Sequence, residues 1–319
     1  MAGRMEAAPP RQRWLLTGAG GWFGKTALYE YEQRSGPEAL REDVIAFASK
    51  PRWIDFGSAH GPIQALDLRD IRSIEAPTGL LHLAFLTRDR IAQVGLNTYI
   101  STNRAITAAV REVLQANPTI PAITTSSGAA AALDGLPANV EANPYASLKQ
   151  EEESLWREEA NRRMAVVFRV YAASGRMMVE PERFALGDFL QQALKGQQLQ
   201  IKARHRVERS YVHVGSLMQL AWAMLKQPKP NGFYGVDACV DRIDLLELAQ
   251  AISHTFGLQA PSHGINPDLS VDRYGGNGQA FSHLIKDYQL IHPTLTDQIT
   301  DTLAGLRQRA KPNDEQQTT

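Results

Sequence analysis

"LLTGAGGWFGKT", Leu15 to Thr26, decides the fold, and it reads in two ways. Gly18, Gly21 and Gly24 keep the spacing T-G-x-x-G-x-x-G, a variant of the turn that joins a strand to a helix around a dinucleotide pyrophosphate. Ala19 to Thr26 also nearly spells a P-loop, whose backbone amides wrap a nucleoside triphosphate. The P-loop reading wants glycine where Ala19 stands, and it puts bulky Trp22 and Phe23 in a loop that must close around phosphates. It also wants a second apolar strand ending in a magnesium-binding Asp, and none of the strands read below ends that way. The dinucleotide reading asks for less: a strand, which Leu15 and Leu16 supply, glycines that let backbone approach the pyrophosphate, and a helix after Gly24 whose amino end faces that charge. The dinucleotide turn is the better reading.

Composition agrees with an ordinary soluble globular protein. At 319 residues, 43% of them hydrophobic, the chain can bury a large core. Its 34 basic and 34 acidic residues cancel, so nothing points to nucleic acid or an anionic membrane as partner. One cysteine, Cys239, excludes an intramolecular disulfide framework and fits a reducing, cytoplasmic compartment. No apolar run reaches the roughly 18 residues of a membrane span, and no signal peptide is visible. No two histidines have the i, i+4 helical ligand spacing, His205 and His213 included, so no metal site is expected.

Short apolar runs alternate with longer amphipathic stretches, the rhythm of βαβ units on a parallel sheet. Strands are expected at Trp14 to Thr17, Val44 to Ala48, Leu80 to Ala84, Ile120 to Thr125, Met164 to Val170 and Ser210 to Val214, and helices at Gly24 to Gln33, Asn97 to Gln115 and Asn143 to Asn161. The fold class is therefore α/β: a Rossmann-type, doubly wound parallel sheet over 13–170, then a smaller substrate lobe over 171–309 interleaved with the last strands of the sheet. In that lobe "ASGRMMVEPERF" and "APSHGINPDLSVDRYGGNGQ" read as loops. The polar ends, 1–12 and 310–319, read as disordered.

"NPYASLKQ" carries the chemistry. Tyr145 and Lys149 are four apart, so a helix puts them on one face. An ammonium beside a phenol stabilises the phenolate and suits it to general acid or base work. Alone the pattern is common, but here it follows a glycine turn, and "TTSSG" closes the strand before it.

With these pieces together, the chain resembles the extended short-chain dehydrogenase/reductase family, NAD(P)-dependent epimerases, dehydratases and reductases acting largely on nucleotide sugars. "DLRD", Asp67 to Asp70, is similar to the family segment whose first Asp contacts the adenine, and "LHLAF", Leu81 to Phe85, to its "HLAA" element beside the cofactor. Asn97 and Asn103 keep the spacing of its "NVxGTxN" helix, with Ile100 and Ser101 in place of Gly and Thr. "FRVYAASGR", Phe168 to Arg176, is similar to "LRxxNxYGP" but lacks its asparagine and proline; "RSYVHV", Arg209 to Val214, resembles "RDFVHV". The resemblance implies that Tyr145 is the catalytic acid/base, that Lys149 holds the nicotinamide ribose and tunes Tyr145, that Ser127 (or Ser126) bonds the substrate oxygen, and that Asn97 orders a relay water. It implies a cofactor cleft lined by Gly18, Gly21, Trp22, Phe23, Gly24, Asp67, Leu68, Leu83 and Ala84, and a homodimer made by pairing the helices at Asn97–Gln115 and Asn143–Asn161.

An NAD enzyme places Asp or Glu roughly 20 residues beyond the glycines to bind the ribose 2′-hydroxyl. Here the second strand ends in Ala48 and Ser49, followed by Lys50 and Arg52, cations able to meet a 2′-phosphate. NADP(H) is favoured on this ground, with NAD(H) the alternative. The family resemblance further implies that Arg209, and Arg273 in "DRYGGN", clamp a sugar-nucleotide diphosphate, although Gly276 replaces the acid of the family's "RxGD". A 4,6-dehydratase is disfavoured, because Gly128, Ala129 and Ala130 follow Ser127 where such enzymes carry an acidic pair. The expected activity is hydride transfer at a hydroxyl or carbonyl carbon of a nucleotide sugar or similar small molecule. The alternatives are an epimerase that retains NAD and a non-catalytic dinucleotide sensor.

Overall fold

The computed structural model describes residues 12–310. The expectation of disordered ends therefore lies outside the described residues, except at Gln12 and at Ala310, which closes the last helix.

In chain order the elements are β1 (Trp14–Thr17), α1 (Trp22–Ser35), α2 (Pro37–Asp43), β2 (Val44–Ala48), β3 (Arg52–Ile54), β4 (Ile63–Asp67), β5 (Gly79–His82), α3 (Ile91–Val94), α4 (Leu96–Ala116), β6 (Ala122–Ser127), α5 (Gly128–Ala131), α6 (Pro144–Glu159) and β7 (Met164–Val170). After these come β8 (Ala172–Ser174), α7 (Ala185–Leu194), β9 (Gln200–Ile201), β10 (Val207–His213), α8 (Val214–Lys226), β11 (Gly232–Ala238), β12 (Asp241–Asp244), α9 (Leu245–Phe256), β13 (Ser262–His263), β14 (Asp272–Tyr274), α10 (Gln279–Asp287) and α11 (Leu295–Ala310). Eight strands form the main sheet in the order β11-β7-β6-β5-β1-β2-β4-β3, and every pairing is parallel except that of β3 with β4.

β1, "WLLT", is buried at all four positions because helices cover both faces of the sheet. Side chains alternate across it. Leu15 joins Phe47, Leu80 and Val167 in a core under Val110 and Val113 of α4 and Trp156 of α6. Leu16 joins Ala46, Leu81 and Phe168 in the opposite core, under Ala27 of α1 and Leu217 and Ala221 of α8. β1 is flanked by β2 on one side and β5 on the other, so the chain winds in opposite senses from it. The crevice this leaves at the carboxyl ends of β1 and β5 is where a doubly wound sheet binds its ligand.

The periodicity reading needs several corrections. It overlooked β3 and β11 of the main sheet, and also β4, "IQALD", whose three buried positions alternate with one exposed and one half-buried. This strand does end in Asp67, but that carboxylate is committed to Arg69, which meets it through the backbone N–H and two guanidinium contacts. The two stretches read as loops contain strands, the end of β8 in the first and β13 and β14 in the second: β8 and β14 both add in parallel to β10, which pairs antiparallel with β12 in a second sheet. Finally, α1 starts at Trp22, two residues before the expected Gly24.

Candidate active site

The glycine turn lies at the end of β1. Gly18 has φ +72°, and a Cβ there would fall 2.6 Å from the Leu83 backbone; one on Gly24 would fall 2.1 Å from the Gly18 carbonyl oxygen. Neither position admits a side chain. α1 begins at its N-cap, Gly21, with no side-chain cap, so its first N–H groups are free for an anion. Leu83 and Ala84 form the opposite lip, their N–H groups each bonded at 3.1 Å to Thr17 Oγ1. Trp22 is buried, edge-on to Phe23 at 5.6 Å and to Phe184 of the lobe at 5.4 Å.

Beyond β2, Ser49, Lys50 and Arg52 are exposed. Arg52 bends back over the glycine turn: a Cβ on Gly20 would collide with its guanidinium. Asp67 is buried and caps the turn that begins at Leu68, which is half-buried. Its carboxyl is held at about 2 by Arg69, through the side-chain and then the backbone bond.

Tyr145 and Lys149 share the first turns of α6, where Pro144 starts the helix at its first position. The Tyr145 ring is edge-on to Phe85 at 5.8 Å, and Lys149 Nζ sits 3.8 Å from the centre of the same ring. Lys149 Nζ donates to the Thr125 carbonyl at 2.9 Å and to Glu152 Oε2 at 2.8 Å. Ser127 ends β6 and caps α5 by accepting the Ala129 N–H; its Oγ lies 3.3 Å from the Tyr274 hydroxyl. Ser126 alternates to the other face of the strand, buried, with no partner for its Oγ. Burial raises the Tyr274 phenol, the Ser127 bond opposes this, and Tyr145 adds to it. Tyr99 of α4 is likewise raised, by burial and then by Tyr145. These couplings gather Ser127, Tyr145, Lys149, Tyr99 and Tyr274 around one crevice.

Other expected residues stand apart. Asn97 is exposed in the first turn of α4, whereas Asn103, two turns on, is buried and brackets Leu86 with both its amide atoms. Arg209 pairs in register with Tyr274, and Arg273 with Glu208, so Arg209 faces the Tyr274 side of the small sheet and Arg273 the other. Each is ion-paired, Arg209 to Asp272 at 2.7 Å and Arg273 to Glu208 at 2.9 Å. Sequence reasoning missed Phe85, Tyr99, Tyr274, His82 and Glu152. His82 and Phe85 stood inside the quoted "LHLAF", but nothing in "LKQEEE" distinguishes Glu152 from its neighbours.

The chain matches the model of the NAD dependent epimerase/dehydratase family over residues 14–235. It belongs to that family. It is accordingly an enzyme of the extended short-chain dehydrogenase/reductase type. No curated protein sequence matches it significantly. Its fold is that of solved family structures. Among them is a UDP-glucose-4-epimerase from Stenotrophomonas maltophila with bound NAD and formylated UDP-arabinopyranose (18% identity, 94% of this chain and 99% of that one, TM-score 0.69). Another is the UDP-glucose 4-epimerase of Thermotoga maritima with UDP-glucose (16%, 94% and 100%, 0.68), and a third a GDP-L-fucose synthetase from Naegleria fowleri (14%, 93% and 93%, 0.68). Among the described residues no helix is long and apolar enough to cross a membrane.

Proposed function

We propose that this family member is an NADP(H)-linked reductase that moves hydride at a hydroxyl or carbonyl carbon of a nucleotide sugar or similar small molecule, with Tyr145 as acid/base. The observation that carries this reading is the meeting of Tyr145 and Lys149 on Phe85, beside Ser127, at the strand ends next to the glycine turn. The turn fits a dinucleotide, since side chains are barred from Gly18 and Gly24 where a pyrophosphate needs backbone. Bound there, the dinucleotide supplies or accepts the hydride. Gly18, Gly21, Gly24 and the amino end of α1 would hold its pyrophosphate, with Trp22 and Phe23 behind the turn. Asp67 and Leu68 would flank the adenine, and Leu83, Ala84 and Lys149 the nicotinamide ribose. Arg52, with Ser49 and Lys50, would meet a 2′-phosphate, and the fold of Arg52 over Gly20 supports this.

In the reaction Tyr145 gives its phenolic proton to the substrate oxygen as a carbonyl is reduced, or takes one as a hydroxyl is oxidised. Ser127 holds the same oxygen, with Ser126 one strand position behind; Asn97, exposed and apart from the crevice, is given no part in the step. Arg209 is better sited than Arg273 to reach a substrate diphosphate, because it faces the Tyr274 side. No carboxylate stands at Gly128, Ala129 or Ala130, which argues against elimination chemistry. A second reading, epimerisation with a retained NAD, has the family model itself in its favour. A homodimer through α4 and α6 belongs to the same proposal, with light scattering as its check.

The test is to denature protein purified without added cofactor and identify any dinucleotide released. An empty protein that binds NADPH reversibly and consumes it with a keto-sugar nucleotide supports the reductase. Stoichiometric NAD⁺ or NADH supports the epimerase and overturns the NADP(H) reading.

A further inference from the structure

Glu152 belongs to no motif quoted above, yet its side chain is 1% exposed beneath the crevice. Besides Lys149, it faces His82, whose Nε2 lies 3.1 Å from Glu152 Oε1. Thr17 Oγ1 accepts two N–H groups, from Leu83 and Ala84, so its lone pairs are taken and its hydrogen goes to His82 Nδ1 at 2.7 Å. With Nδ1 turned to Thr17, the His82 ring presents Nε2 to Glu152 Oε1 at 3.1 Å, a close polar contact outside hydrogen-bond geometry. Thr124 Oγ1 lies 3.1 Å from the same carboxylate oxygen. Burial by itself would raise the Glu152 carboxyl, but Lys149 and His82 outweigh it and bring it down to about 2. Glu152 is thus an ion, and Lys149 is its counter-ion.

The groups facing Lys149 and Glu152 come from every element packed on them: Tyr145 from α6, the Thr125 carbonyl and Thr124 hydroxyl from β6, and His82 and Phe85 from the end of β5 and the segment after it. Tyr99 of α4 stands behind Phe85 at 6.5 Å. Glu152 is the one anion among them. A buried ammonium that loses its counter-charge gives up its proton more readily, and an amine so freed becomes a nucleophile.

We propose that Glu152 is the positioning residue of Lys149: a buried carboxylate that keeps the ammonium charged and fixed at the floor of the crevice, linked through His82 to Thr17 at the foot of the glycine turn. The inference rests on the reading of Lys149 as partner of Tyr145 and the cofactor. It sets the glycine turn and Lys149 at the two ends of one run of close polar contacts, from Thr17 through His82 to Glu152.

The experiment is competitive acetylation of the whole protein with acetic anhydride at about pH 8, with the rate at Lys149 read by peptide mass spectrometry against exposed Lys202. Glu152→Gln keeps the shape and removes the charge; acetylation of Lys149 rises roughly tenfold, the effect of about one pH unit on an amine, and in an active enzyme the alkaline limb of the pH–rate profile moves down by about the same amount. Glu152→Asp keeps the charge at a longer gap, and the rise is roughly threefold. If Glu152 only fills space, both variants melt at a lower temperature while Lys149 reacts as in wild type, and the proposal fails. Should the Gln variant not fold, the Asp variant carries the test, and a wild-type rate there overturns it. Acetylation needs neither substrate nor dinucleotide. A rise in a protein inactive on every carbonyl tried sinks the functional reading alone, and an unchanged rate in an active enzyme sinks this assignment alone.

Discussion

The Tyr274 hydroxyl lies 3.3 Å from Ser127 Oγ, joining positions 147 residues apart and bringing the second sheet into contact with the end of β6. Burial raises the Tyr274 phenol, and either hydroxyl can donate in this contact. With Tyr274 as the donor, Ser127 accepts from both Tyr274 and the Ala129 N–H and keeps its own hydrogen for a substrate oxygen.

Tyr274→Phe should therefore lower kcat roughly 3- to 10-fold, the worth of one hydrogen bond, with the KM for dinucleotide unchanged. Ser127→Ala should cost roughly 100-fold or more. Steady-state kinetics on both variants decide; a Phe variant as fast as wild type would show that the bond has no part in turnover.

Arg52 reaches the glycine turn from β3, where a 2′-phosphate would meet it. Replacing Lys50 and Arg52 together with alanine should weaken NADPH binding roughly 10- to 100-fold, while NADH binding stays within about 3-fold. Titration calorimetry with each dinucleotide separates the outcomes, and an equal loss of both would remove the case for NADP(H).

Asp301 of α11 anchors the loop after β8: it accepts from the Arg176 backbone and guanidinium, and its Oδ2 lies 3.0 Å from His213 Nε2. Burial alone would raise its carboxyl, but His213 and Arg176 bring it down from 3.8 to about 2. A carboxyl depressed on folding stabilises fully above its unfolded value, and that stability drains away as pH falls toward the folded value. The window is thus from about pH 4 down to about pH 2. Asp301→Asn should be less stable at neutral pH, by on the order of 1–2 kcal/mol, and should lose less across that window. Urea midpoints against pH test it; parallel curves for the two proteins would count against the assignment.

Arg163, wholly buried after α6, donates to the carbonyls of Leu114, Asn117 and Ile120 and to Glu159. It closes the end of α4, whose last carbonyls have no helical partner. Arg163→Leu strands Glu159 and those carbonyls in the core, and should cost about 3–5 kcal/mol in urea unfolding. A loss below about 1 kcal/mol would mean that water replaces the guanidinium.

The glutamate run in α6 shows where sequence reading stops. Glu151, Glu152 and Glu153 look alike on paper, as a solvated charged stretch. In the fold, Glu151 meets Arg104 at the surface, Glu152 meets Lys149 and His82 in the interior, and Glu153 meets Arg169 of β7. Successive helix positions turn through about 100°, so adjacent identical residues face different neighbours, and which neighbours depends on what packs there. Likewise Ser126 and Ser127 were near-equivalent in "SSG", and strand alternation sends only Ser127 toward Tyr274.

The sequence by itself determined the glycine turn, the strand–helix alternation of a parallel sheet, the Tyr145–Lys149 pair on one helix face, and the family to which they point. All of these are local: they depend on residues a few positions apart, whose geometry is set by backbone sterics and periodicity. Only the tertiary structure decided that Thr17 meets His82 across 65 positions, that Glu152 neutralises Lys149, that Phe85 lies under both members of the pair, and that Tyr274 rather than Arg273 faces Ser127. Those contacts follow from which strands lie side by side and from the register of each pairing, and that is fixed by burial of the whole core rather than by any one stretch of chain.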